Sequence, residues 1–323
     1  MSASELQVSI VIVCMNNLKN LYPCLNSIRK YTSVSYETFV VAYLFSKENL
    51  EKVKRDFPWV AFIESNEIRG FSENNNLALR QAKGKYCFVV NDDTEMEMPV
   101  IDMLVKDFDR CPKETAIISP VLLDGNGNVA VCGRPPVTWK TKILMFAKLY
   151  DEKDDCKYSN KKGLFKTYNI VGAAFMIRRD VFERVGWFDE YYFFAPEDLA
   201  LSTLLNKKGY GCYVDSDVKI IHYEGMSGKS LSKTKTATLP AMCKGGLHFY
   251  SEEKWYIMIV FGLTYYLFNL VQYFHHLFLA KKSATPNVYS ILAEGERNVL
   301  CTLFSNKSPK EIFTFYFNKI RKY

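Results

Sequence analysis

Across the first third of the chain, short apolar runs alternate with stretches of helical periodicity, and this alternation leaves few folds open. Val8–Val13 (VSIVIV), Thr38–Tyr43, Val60–Ile63 and Tyr86–Val90 read as buried strands. Between them Leu18, Leu21, Leu25 and Ile28 recur at helical spacing, and Leu50, Val53 and Phe57 repeat the pattern after Ser46. Ser72 suits the cap of a helix running to Ala82. Pro99 suits the first helical position ahead of Val100, Leu104 and Phe108, and Ala116–Val121 follows as another strand. Such alternation predicts a largely parallel sheet with helices on both faces, and in such sheets ligands sit beyond the carboxyl ends of the strands.

One strand end carries an unusual charge arrangement. In VVNDDT, Val89 and Val90 run straight into Asn91, Asp92 and Asp93. Adjacent carboxylates repel, and each loses hydration at the mouth of a buried strand. A capping turn with two solvated aspartates accounts for such a pair; so does a bound cation. Glu197-Asp198 opens a helix carrying Leu199, Leu204 and Leu205, where acids either favour the helix N-terminus or do acid–base work. His222 ends a strand, Val218–His222, as a packed residue or as a ligand.

The remainder is less regular. Asp124–Asn128 (DGNGN) is a turn, Pro135-Pro136 and Asp151–Lys162 read as exposed connection, and Asn169–Ile177 reads as one strand. Gly225–Thr238 reads as a flexible segment whose Lys229, Lys233 and Lys235 suit either a lid over phosphate or a solvated loop. Nine cysteines without a CxxC pair argue for reduced, packing thiols in a cytoplasmic protein rather than a disulfide frame or zinc site. The polar start Met1–Gln7 and the short run after it do not read as a secretory signal.

Charge is uneven: of the net +7, the part from Lys219 onward carries 14 Lys/Arg against 6 Asp/Glu, a local +8. This basic tail surrounds Trp255–Ala280, 26 residues without Asp, Glu, Lys or Arg. Gly262, Asn269, Gln272 and His276 form a narrow polar stripe on it, and Lys281-Lys282 end it. Length alone allows a membrane span, whereas the stripe and the lysines favour a helix lying in the interface. With no nucleic-acid fold signature beside the basic residues, nucleic acid is not an expected partner.

Four segments, in order, resemble the GT-A fold glycosyltransferases of family 2, particularly the bacterial rhamnosyltransferase-like members that build surface polysaccharide. They are VSIVIVCMNN (8–17), GFSENNNLALRQAKGKYCFVVNDDT (70–94), VGAAFMIRRDVFERVGWFDEYYFFAPEDLALSTLLNKKGYGCYV (171–214) and VKIIHYEG (218–225). The resemblance implies an α/β GT-A domain over residues 1–240, with a nucleotide-sugar half to about 125 and an acceptor half from 126, followed by a helical membrane- or partner-associating region over 241–323. It implies that Asp93, with His222, holds Mn2+ or Mg2+ against the donor diphosphate, and that Asn76, Asn91 and Asp92 line the donor site. It implies Asp198 as the general base of an inverting transfer. Gly172, Ala173, Trp187, Asp189 and Glu197 fall to the acceptor side, where Trp187 reads equally as a sugar platform and as a core aromatic.

The implied partners are a UDP-, dTDP- or GDP-sugar, a saccharide or lipid-linked saccharide acceptor and the cytoplasmic face of an inner membrane, with a homo-oligomer left open. Two departures stand out. Ala200 replaces a frequent third acid, and Ala42-Tyr43 stand where the family has an acid near the nucleobase, leaving Tyr43 as a candidate base-stacking ring. The altered segment at Ala42-Tyr43 and Asn91 motivate an alternative, a catalytically inactive saccharide- or nucleotide-binding partner. A nucleotidyltransferase is disfavoured, because Cys14-Met15-Asn16-Asn17 is no Gly-rich phosphate loop.

Overall fold

The computed structural model describes residues 6–130, 133–150, 161–223, 233–251, 254–283 and 286–321. It divides into two compact units. The first comprises Met1–Pro136, Glu152–Asp189 and Asp198–Ser227; the second comprises Val137–Asp151, Glu190–Glu197 and Gly228–Tyr323.

The first unit is built on β1 (Val8–Cys14), α1 (Leu18–Tyr31), β2 (Tyr36–Tyr43), α2 (Lys47–Asp56), β3 (Ala61–Ser65), α3 (Phe71–Leu79) and β4 (Tyr86–Asn91). There follow β5 (Thr94–Glu95), α4 (Val100–Arg110), β6 (Thr115–Leu123), β7 (Gly133–Arg134), β8 (Leu164–Thr167), β9 (Asn169–Ile170), β10 (Ala174–Arg178) and α6 (Arg179–Arg184). After α7 (Glu197–Lys207), β11 (Gly211–His222) closes the unit. The main sheet has the order β3-β2-β1-β4-β10-β6-β11-β5, with β8 also on β11. β3, β2, β1 and β4 are mutually parallel, and β6 is parallel to β11. β10 runs antiparallel to both β4 and β6.

Alternation along β1 explains the two faces. Ile10 and Ile12 pack with Leu21, Leu25, Ile28 and Leu104, whereas Val11 packs with Leu79, Phe182 and Leu205. Helices thus cover both sides of the sheet, as the pattern predicts, and each fully buried Leu, Ile or Phe contributes about 1.5–3 kcal/mol. Gly84 sits at a close approach: a Cβ there would lie 2.5 Å from the Ser9 backbone nitrogen.

Local details differ from the sequence-based expectation. The cap of α3 is Gly70, whose N–H is accepted by Glu73 at 3.1 Å, while Ser72 is fully buried inside the helix. Glu73, three residues after Gly70, reaches back to the cap N–H, the half of a capping box that a glycine without a side-chain acceptor allows. Pro99 is the cap of α4 rather than its first residue. The expected strand 169–177 is broken into β9 and β10 by a turn over 171–173, and β11 extends seven residues earlier than Val218, with an irregularity between Asp215 and Lys219.

The second unit contains α5 (Trp139–Phe146) and four longer helices: α8 (Lys235–Ser251), α9 (Trp255–Lys282), α10 (Pro286–Thr302) and α11 (Pro309–Arg321). Cys243, Leu247, Tyr250, Phe261, Val299 and Leu303 form its core. Lys235 therefore belongs to a helix and not to a loop; Lys229 lies outside the described residues. The described cysteines Cys14, Cys24, Cys87, Cys111, Cys212, Cys243 and Cys301 are all free, as expected, and Cys132 and Cys156 lie outside the described residues.

Asp107 of α4 and Asp215 of β11 are both buried. Burial first, and the neighbouring Asp215 carboxyl second, push Asp107 up to about 7 from an ordinary 3.8. Between those values the folded state holds a proton that the unfolded chain has released, so stability falls as pH rises through the window. Asp107→Asn is expected to flatten this fall and to stabilise the protein at pH 8 by on the order of 1–2 kcal/mol. Urea denaturation across pH 4 to 8 measures both effects.

Candidate active site

The reversed direction of β10 assembles the site. An antiparallel strand begins where its parallel neighbours end, so Ala174, the first residue of β10, pairs with Val90 near the carboxyl end of β4. The turn before it therefore lies at the acidic motif: the Asn91 N–H donates to the Ala173 carbonyl at 2.9 Å. On its other side, the Gly172 N–H donates to Asp198 Oδ2 at 3.2 Å, while Asp198 Oδ1 accepts the Leu199 N–H at 2.7 Å. A Cβ on Gly172 would lie 3.3 Å from Asp198 Cβ, so the space left by the glycine is filled by this aspartate. A single turn thus joins the end of β4 to the start of α7.

Helix α7 is held in register over a longer stretch. Asp198, Ser202 and Asn206 stand at i, i+4 and i+8 on one helical face. Asp198 accepts from Gly172 N–H, Ser202 Oγ accepts from Ile170 N–H at 3.3 Å, and Asn206 Nδ2 donates to the Tyr168 carbonyl at 2.9 Å. Four helical residues rise about 6 Å, and two extended residues rise about 6.6 Å. Helix and strand therefore stay in step, and the ladder positions Asp198. Ser202 and Asn206 were not singled out from the sequence, although their four-residue spacing from Asp198 is visible in it.

The second group forms where β11 returns beside β5. His222 pairs with Thr94 and Ile221 with Glu95 in antiparallel register, and the Tyr223 N–H donates to the Asp93 carbonyl at 2.9 Å. This brings His222 Nε2 to 3.2 Å from Asp93 Oδ1 and to 3.5 Å from Asn91 Nδ2. Both Asp93 and His222 are largely buried, and His222 Nδ1 is buried without a hydrogen-bond partner. The ring is thus engaged on the edge that faces Asp93. From behind, Thr94 Oγ1 donates to the Asn91 carbonyl at 2.8 Å, and Met96 N–H donates to Ser27 Oγ at 3.1 Å. The Cys24 thiol donates to the Asn91 carbonyl at 3.7 Å. Asp92 is buried: burial pushes its carboxyl up to about 7, a hydrogen bond with the Cys14 thiol works against this, and the Asp93 charge works with it.

A carboxylate oxygen and an imidazole nitrogen this close fit a divalent cation. Among the described residues no group of three or more His, Cys, Asp or Glu is arranged around a metal position. Two protein donors with the rest of the shell from phosphate oxygens and water is a pattern suited to Mg2+ or Mn2+ on a diphosphate. Asp93 and His222 are the residues that would hold it.

Other predicted residues are placed as follows. Asn76 is fully buried, its amide nitrogen donating to the Phe188 carbonyl at 2.9 Å and its oxygen accepting the Phe188 N–H at 3.1 Å. Phe188 in turn packs edge-on against Phe71, Phe175 and Phe182. Trp187 has a left-handed backbone (φ 67°) and sets its ring against Phe182 at 5.4 Å, while Asp189 is exposed. Glu197 accepts the Ala195 N–H at 2.5 Å. Tyr43 is buried, its hydroxyl accepting the Arg69 N–H at 3.3 Å, so its ring is not presented for base stacking. Asn76→Ala leaves both backbone groups of Phe188 without these partners, and is expected to cost about 2–3 kcal/mol in chemical denaturation.

A mainly parallel sheet flanked by helices, with an acidic motif at a strand end and a carboxylate at a nearby helix start, defines a GT-A type transferase fold. Residues 9–186 match the family model for glycosyl transferase family 2. The chain belongs to that family. It is 25% identical over 197 residues to the O-antigen biosynthesis protein RfbC of Myxococcus xanthus, a match over 60% of this chain and only 14% of that protein's length. Its fold is similar to GalNAc-T7 with UDP, GalNAc and Mn2+, with a TM-score of 0.59 at 15% identity, over 99% of this chain and 57% of the other. It is likewise similar to the mannosyltransferase PcManGT from Pyrobaculum calidifontis in complex with GDP-Man and Mn2+ (TM-score 0.53, 15% identity, 99% and 82%).

Proposed function

We propose that the chain is an inverting, metal-dependent glycosyltransferase. It moves rhamnose or another hexose from a UDP-, dTDP- or GDP-sugar to a saccharide acceptor, lipid-linked, in bacterial surface polysaccharide synthesis at the cytoplasmic face of the inner membrane. The observation that carries this reading is the turn 171–173, which ties Asn91, beside the Asp93–His222 pair, to Asp198. The nucleotides and Mn2+ bound by the two solved relatives, and the O-antigen role named for the RfbC relative, support the donor and product classes.

Asp198 does the acid–base work. Two backbone amides orient its carboxylate, and each oxygen keeps a further lone pair for an acceptor hydroxyl. It takes the hydroxyl proton as that oxygen bonds to the anomeric carbon and the bond to the diphosphate breaks, releasing the nucleoside diphosphate. One displacement inverts the configuration and needs one base, not the two carboxylates of a glycosidase. A divalent cation held by Asp93 and His222 would neutralise charge on the departing diphosphate. Asn76 acts through Phe188 and Asn91 through its backbone, so both serve the donor side as positioning groups. Gly172 and Ala173 shape the acceptor side around Asp198, with Trp187, Asp189 and Glu197 flanking it in sequence.

A panel of UDP-, dTDP- and GDP-sugars with Mn2+ or Mg2+, scored for nucleoside diphosphate release, identifies the donor. With that donor, Asp198→Asn is expected to lower kcat by about 10²–10⁴-fold while donor binding persists. EDTA is expected to abolish turnover, and His222→Ala to raise the metal concentration required. Wild-type rates in Asp198→Asn would remove the base assignment, and indifference to EDTA would remove the metal. Binding of nucleotide-sugar without turnover by the wild-type chain would instead favour an inactive assembly partner, the reading suggested by Asn91 and the missing acid at Ala42-Tyr43.

A further inference from the structure

Helix α9 is turned inside out for a helix in water. Trp255, Leu263, Leu267, Val271, Phe274 and Phe278 are all more than half exposed, reaching 70% at Trp255. At 3.6 residues per turn they fall within one sector of about 160°, extending about 35 Å along the axis. The opposite side carries the buried Ile257, Phe261, Gly262 and Asn269. The polar stripe is therefore partly packed inside the helical unit. Asn269 donates to the Tyr265 carbonyl at 2.7 Å, Tyr265 donates from its hydroxyl to Cys243 Sγ at 3.1 Å, and Glu296 of α10 is buried nearby. A bundle in water places these groups the other way round, and an apolar surface this long is one that soluble monomers rarely expose.

We propose that this outward face of α9 lies in the surface of an anionic lipid bilayer, with the helix parallel to the membrane plane. Charge complementarity selects the lipid. Lys254 precedes the helix, Lys281 leaves it on the apolar sector, and Lys282 Nζ sits 4.4 Å over the Phe278 ring. At the other end Lys254 follows Glu252 and Glu253, so the attraction to anionic headgroups is concentrated at the Lys281-Lys282 end, where the chain from Lys281 onward carries 8 Lys/Arg against 3 Asp/Glu. Trp255 and Tyr256 at one end suit the headgroup level.

The neighbouring helix decides against a span, although among the described residues α9 is the one helix long and apolar enough to cross a bilayer. α10 lies along α9, with Tyr289 stacked on His276, and Phe304, just beyond α10, sits against Tyr266. A spanning α9 would carry the exposed Glu294 and Arg297 of α10 to bilayer depth, where charged groups are costly. In-plane contact inserts only the apolar sector.

This surface deepens the lipid-linked part of the proposed function, and its test reads binding without turnover, so its failure leaves the transfer reading standing. The full chain is floated with phosphatidylcholine vesicles, with and without phosphatidylglycerol. It is expected to float with the anionic vesicles and to be extracted by high salt or alkaline carbonate. Leu267→Glu with Phe274→Glu is expected to weaken binding at least about tenfold, with circular dichroism confirming the fold. Lys281→Glu with Lys282→Glu, which leaves the apolar sector intact, is expected to weaken binding to anionic vesicles only. Three results would overturn the proposal. They are failure of the wild-type chain to float, resistance of the bound chain to carbonate with its two flanks protected on opposite sides, and a wild-type dimer that the Leu267/Phe274 variant dissociates, which would assign the face to a second copy.

Discussion

The reversed strand β10 is the constraint on which the site depends. Had the sheet been wholly parallel, the start of this strand would lie at the end opposite to the site. Inserted antiparallel between β4 and β6, it begins beside the last residues of β4. The turn 171–173 is therefore delivered to Asn91 by sheet geometry, and its two amide and carbonyl bonds hold β4 and α7 to one another. Ser119 adds to this by donating to the Ala174 carbonyl at 2.9 Å from the neighbouring β6. In the proposed transfer, groups held on backbone hydrogen bonds of a sheet need little reorganisation when substrate arrives.

The two groups of the candidate site are positioned by different devices. Asp198 depends on a helix–strand ladder that works because the rise of four helical residues nearly equals that of two extended ones. His222 depends on strand pairing: β11 must run its full length for its last residue to meet Thr94, and Asp93 then lies within reach of the ring. Neither device involves the motif residues alone. Ser202, Asn206, Ser27 and Cys24 support them from behind, and each spends its polar atoms on neighbouring protein groups.

Much of the first unit was legible because buried strands and amphipathic helices leave a periodic trace. The strands from Val8 to Val90 and the helices between them were expected within a few residues, and so was the location of Asp93, Asp198 and His222 at element ends. The break at 171–173 was not visible, because NIVGAAFMI carries no polar residue after Asn169 and reads as one strand. Tyr43 was offered as a base-stacking ring, yet its strand is central enough to bury it. In α9 the polar stripe was legible, but not that Gly262 and Asn269 on it are buried. A stripe of Gly, Asn, Gln and His marks a helical side but does not say what covers that side.

By itself the sequence determined the layered α/β class, the positions of the chemical groups along the chain, and the membership in family 2 that those segments carry. These follow from local pattern, since periodicity and turn chemistry act over a few residues. Only the tertiary structure decided the direction of β10, the convergence of Asp93 with His222, the seating of Asp198 on Gly172, and the outward turn of the apolar face of α9. Each of those is a pairing between residues distant in sequence, and the free energy that selects it comes from burial and hydrogen bonds formed only when the whole sheet or bundle has closed.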